Sequence, residues 1–190
     1  MRGSCVMKHP SNRAFFAYWD TKRGHARAPD RSDIEPSAIR ELLGDIFVLS
    51  SSEATGYPFR VAGTRVCALF GRDLKDKSFS TLFSTDARRE IEEIVAVVAE
   101  DMLPAVAGVS ATPERGATTH LELLLLPFNA RAHEPISLTG LLAPMNECRE
   151  PLGALNVTSW RYLHREEKIV PRLVRKLALA RGFMVYEGLR

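Results

Sequence analysis

The chain has 190 residues, 45% hydrophobic and 26% charged, with a formal net charge of +3. That length suits one domain with its own core and is too short for two comfortable ones. The mild positive balance neither demands nor excludes a polyanionic partner, and apolar runs such as 121–128 fall far short of the ~18 residues a membrane helix needs.

The opening MRGSCVMKHPSNR carries charge with no apolar stretch behind it, so no signal peptide is read and a cytoplasmic address is expected. Residues 1–12 read as an N-terminal tail; 1–6 look like an expression-vector remnant and carry no functional weight. Cys5, Cys67 and Cys148 are odd in number and widely spaced, which suits reduced thiols and neither a disulfide framework nor a zinc site.

NRAFFAYWDTKRG (12–24) predicts an amphipathic helix with Phe15, Phe16 and Trp19 on one side and Lys22 and Arg23 near its carboxyl end. A short helix near Pro36 follows, with Ile39, Leu42 and Leu43 on one face and Gly44 at its end. IFVLSS (46–51) and YPFRVAG (57–63) read as a hairpin in which Tyr57, Phe59 and Val61 point one way.

Gly63 is expected to permit a sharp change of direction into TRVCALFG (64–71), one or two helical turns capped by Thr64 and stopped at Gly71. Val66, Leu69 and Phe70 give that helix one apolar face. Residues 86–102 carry the strongest helical periodicity, through Ala87, Ile91, Ile94, Val95, Val98 and Met102.

Three strands are predicted over 105–112, 119–128 and 136–145, and the leucines at 123–126 suggest a central strand covered on both faces. Residues 151–190 form a C-terminal extension with a candidate edge strand and, after Pro171, a helical pattern. This order gives an α+β fold, one five-stranded antiparallel sheet with helices packed on one face, plus an N-terminal helix and a C-terminal helical extension.

YWDTKRG, RSDIEPSAIRELLGDIFVLSS and above all RVAGTRVCALFGRDL resemble a PAS-like family of small stand-alone bacterial proteins, common in alphaproteobacteria. The resemblance covers roughly 13–150, read as the PAS-like domain with its preceding helix. It implies a non-enzymatic sensory module with a small ligand between the sheet and the helices. It also implies output through a partner signalling protein and pairing as a homodimer through Phe15, Phe16 and Trp19.

Carried onto this chain, the lining is Phe59, Val61, Val66, Phe70, Phe79, Phe83, Ile91, Val95, Leu123 and Leu125, or else these residues simply fill the core. The residues argue against the cofactors such domains use. Haem needs an axial ligand, and 79–103 has no histidine. Cys67 does not sit in the helix motif of a flavin adduct, and no cysteine or histidine cluster suits a metal.

His120 and Glu122 share a strand face, as a general acid/base pair or as a solvated polar pair. Arg65 and Arg72 flank the short helix, to meet an anionic ligand or to clamp the helix by an internal salt bridge. From 161 to 190, eight basic residues face three acidic ones, and Lys168, Arg172 and Arg175 are placed on one helical face. That leaves open a nucleic-acid-associated regulator besides a ligand-free adaptor.

Overall fold

The structure, a computed structural model, describes residues 7–52, 54–112, 117–130, 134–148 and 150–164, and the backbone of 174–180 and 183–188. Helix α1 spans Pro10–Arg23, with proline at its first position and His9 as N-cap, whose ring nitrogen accepts from the Ser11 amide at 3.2 Å. Strands β1 (Ile46–Ser50) and β2 (Phe59–Ala62) form the hairpin. Helices α2 (Thr64–Leu69) and α3 (Thr85–Glu100) follow, joined through a 3₁₀ turn at Phe79–Leu82.

Strands β3 (Ala105–Ala111), β4 (Thr119–Pro127), β5 (Ser137–Pro144) and β6 (Leu155–Tyr162) complete one sheet, in the order β2-β1-β5-β4-β3-β6. Every neighbouring pair is antiparallel. The sheet thus has six strands where five are expected. The sixth is the candidate edge strand, held against β3 with Leu155 opposite Ala111 and fully buried.

The five leucines of β4 explain the layering. Leu121, Leu123 and Leu125 join the core under α2 and α3, whereas Leu124 and Leu126 pack with Phe15 and Trp19 of α1. Alternation along the strand therefore places α1 on one face of the sheet and α2 and α3 on the other.

The C-terminal helix is corrected. Val174–Ala180 (β7) and Phe183–Gly188 (β8) pair antiparallel in a separate two-stranded sheet. Valine, phenylalanine and tyrosine in these segments favour extended backbone, and Leu177 falls at a register irregularity between Lys176 and Ala178. Arg175 therefore lies on a strand and not on a helical face, while Lys168 and Arg172 lie outside the described residues.

Candidate functional site

The corner after β2 is built on two glycines. Gly63 is the N-cap of α2 in extended backbone (φ −64°, ψ 155°), and Thr64 is already helical. The Gly44 carbonyl, rather than the Thr64 hydroxyl, accepts from the amides of Arg65 (2.9 Å) and Val66 (3.1 Å). The Arg65 guanidinium closes the corner from outside, donating to both Asp45 carboxylate oxygens at 2.7 Å and to the Glu41 carbonyl at 2.6 Å. The Asp45 hydrogen bond holds the Arg65 pKa above its ordinary value.

Gly71, at φ 61°, takes the left-handed conformation that ends the helix. The Arg72 side chain beyond it is exposed.

Nine of the ten lining residues carried over from the family belong to a single core cluster beneath α2 and α3. Val61 does not. Leu49 pairs with Phe59 and Val48 with Val61, which leaves Arg60 as the extra residue of a bulge. Alternation breaks there, so Phe59 is buried and Val61 is 50% exposed.

Phe47, which sequence reasoning missed, stands in the middle of this core. Its ring centroid lies 5.3 Å from Phe79 and 5.6 Å from Phe59, and Phe79 reaches Phe83 at 5.4 Å. The signal was available, since strand alternation in IFVLSS sets Phe47 and Leu49 on one face.

Phe79, Ile91 and Val95 reach the edge of this core and line a cleft of about 230 Å³ with Tyr57, Ser78 and Ser80. Burial pushes the Tyr57 phenol above the usual tyrosine range, and Glu100 adds to the shift. The cleft has a mainly apolar floor and a polar lip.

On the opposite face, Phe15 and Trp19 are fully buried under α1, and the Trp19 indole donates to the Pro127 carbonyl at 3.0 Å. Phe16 is half-buried and stacks on Trp19. The side of α1 proposed as a partner surface is thus used up within the chain, because the sheet face beneath it needs cover. His120 and Glu122 stand at i and i+2 on the same face of β4, but His120 is exposed, while Glu122 is buried.

The Glu122 carboxylate accepts from the amides of Lys8 (2.6 Å) and His9 (2.8 Å) and from the Asn12 side chain (3.0 Å), which fastens the start of α1 to β4. Cys67 and Cys148 are half-buried against the inner core. Among the described residues no group of three His, Cys, Asp or Glu gathers as metal ligands would.

A family model described as PAS domain matches residues 7–143. No curated protein matches the sequence. Among solved structures, the chain is similar to the PAS domain of Bordetella pertussis BvgS, at 16% identity, covering 58% of this chain and 86% of that one, with a TM-score of 0.43. A Rhodobacter sphaeroides LOV protein matches at 11% identity, covering 59% and 69%, with a TM-score of 0.43. A PAS domain from Colwellia psychrerythraea matches at 10% identity, covering 58% and 98%, with a TM-score of 0.42.

Proposed function

The chain belongs to the PAS domain family, and from that premise we propose a non-enzymatic sensory module that takes a small apolar ligand at the cleft beside Tyr57, Phe79 and Val95. The observation that carries this reading is the cleft itself, which opens directly onto the Phe47–Phe59–Phe79–Phe83 ring cluster. At about 230 Å³ it is smaller than most ligand pockets, so its occupant has few heavy atoms. A ligand wedged between the turn Phe79–Leu82 and α3 shifts the balance between two arrangements of those elements, by binding one better than the other.

The signal then leaves by contact with a partner protein, and a homodimer and a cytoplasmic address belong to the same proposal. Among the described residues no helix is long and apolar enough to cross a membrane. A dimer formed here uses surfaces other than Phe15 and Trp19, which are buried. Sedimentation as a monomer at micromolar concentration removes that part.

Native mass spectrometry of the purified chain tests the ligand. A small organic adduct that is lost in Val95→Phe supports it. Apoprotein alone, with a melting temperature unmoved by indole or benzene, overturns it. A ligand-free adaptor is the second reading, favoured by ring-to-ring packing at 5.3–5.6 Å that already fills the space beneath α3.

A further inference from the structure

We infer that the ligand of the cleft beside Tyr57 and Phe79 carries a protonated amine on its apolar body: a small arylalkylamine, ring inward and ammonium outward. This rests on the reading of the cleft as a ligand site and adds a charge to the outer end of its occupant.

Three segments build the walls. The Phe79 amide donates to the Tyr57 carbonyl at 3.0 Å, and Pro58 bridges to Ser78, so the chain entering β2 is fastened to the turn Phe79–Leu82. Helix α3 supplies the third wall through Ile91, Glu92 and Val95. Ile91 and Val95 stand one turn apart on its buried face, and Glu92 comes next round the helix, where that face meets solvent.

The charge at this mouth is unanswered. Among the residues that line the cleft, Glu92 is the one that carries a charge. Its acidic neighbours are engaged, Glu90 by the Trp160 indole at 2.8 Å and Glu93 by Arg89 at 3.0 Å. Arg88, one turn before Glu92, donates to the Phe83 carbonyl at 3.4 Å instead. Among the described residues Glu92 itself has no hydrogen bond or ion pair. A second carboxylate, Glu100, acts on the Tyr57 phenol beside it. The field at the mouth is therefore negative and favours a cation.

The other groups of the lip suit an ammonium. The Ser78 and Ser80 hydroxyl oxygens lie 3.2 Å apart, and one donates to the other, which leaves lone pairs to accept an N–H. An ammonium has three donors and no acceptor, so a carboxylate and hydroxyl oxygens answer it. A carboxylate on the ligand would instead meet Glu92 as a like charge. Because Glu92 is exposed, an ammonium beside it keeps part of its hydration and avoids the cost of full burial. The floor of Phe79, Ile91 and Val95 takes the ring, and about 230 Å³ admits one ring on a short arm.

Benzylamine is the probe, beside benzyl alcohol as its neutral counterpart and benzoate as its anionic one. Titration followed by backbone amide shifts should give saturable changes at Tyr57, Ser80 and Val95. Benzylamine should bind about fivefold more tightly than benzyl alcohol, with benzoate the weakest of the three. Glu92→Gln should bring benzylamine to the level of benzyl alcohol and leave the alcohol unmoved. Glu93→Gln removes the same charge one residue along, from a side chain already paired, and should change neither. Both positions are exposed, so folding is retained.

Benzyl alcohol that binds as tightly as benzylamine, or benzylamine affinity that survives Glu92→Gln, overturns the amine and leaves the cleft standing as a ligand site. Equal weakening in Glu93→Gln means that a general acidic surface attracts the amine, and overturns the role of Glu92. No saturable shift at the cleft with any of the three compounds overturns the ligand site itself, and the amine with it.

Discussion

At Gly63 the backbone angles are open to any residue, yet a Cβ there would collide with the carbonyl groups of Leu43 and Gly44. The glycine is required by close approach, not by dihedral freedom, and that approach lets the Gly44 carbonyl cap α2. Gly63→Ala should lower stability by about 2–3 kcal/mol through forced backbone displacement, read as a fall in urea midpoint; an unchanged midpoint refutes the contact. Tyr57 poses a different single-residue test. Its folded pKa is raised, chiefly by desolvation. Below about pH 10 the phenol is protonated in both states and contributes no pH dependence. Above that, the unfolded chain ionises first, so stability falls as pH rises toward the folded value. Urea midpoints measured from pH 8 to 11 should fall less steeply in Tyr57→Phe than in wild type; parallel curves mean that Tyr57 is not the group responsible.

Among the elements, α1 is held by its start and by its buried face. Glu122 fixes the start by accepting two backbone amides and the Asn12 side chain. Glu122→Gln places an amide donor against those donors and should cost about 1–3 kcal/mol. Hydrogen exchange should quicken across Pro10–Arg23 while α3 keeps its protection; uniform exchange in both helices means that no separate latch exists. None of this was legible in THLELLLLPF, where Glu122 reads as one polar residue beside His120. The leucines around it were legible, because four consecutive apolar residues in a strand require cover on both faces. Helix α3 was legible for the same kind of reason, with Ile91, Ile94, Val95 and Val98 repeating at helical spacing. Periodicity fails where one residue is inserted. The bulge at Arg60 turns Val61 outward, and the bulge at Thr158 brings two hydroxyls over Gly108. Both depend on cross-strand register, which one strand's sequence does not carry.

For the molecule as a whole, the open matter is whether the layer between the sheet and α3 is a finished core or a chamber that its own side chains occupy. Phe79 decides it, because its ring contacts Phe47, Phe59 and Phe83 and also lines the cleft beside Tyr57. Truncation to alanine removes the ring common to those three contacts and joins its volume to the cleft. As a core change, Phe79→Ala should cost about 3–5 kcal/mol. Where the walls hold their shape, it should also create an apolar site that indole or benzene fills, returning part of the lost stability in proportion to concentration. The measurement is the melting temperature of wild type and Phe79→Ala across an indole series. A variant that recovers several degrees while the wild type is unmoved means that Phe79 fills its place in a finished core, whose walls hold their shape as an engineered cavity does when the ring is removed. Equal recovery in both places the occupant beside the ring, in the cleft already open. No recovery in either means that α3 and the turn Phe79–Leu82 collapse into the gap, and the sensory reading then rests on partner contacts alone.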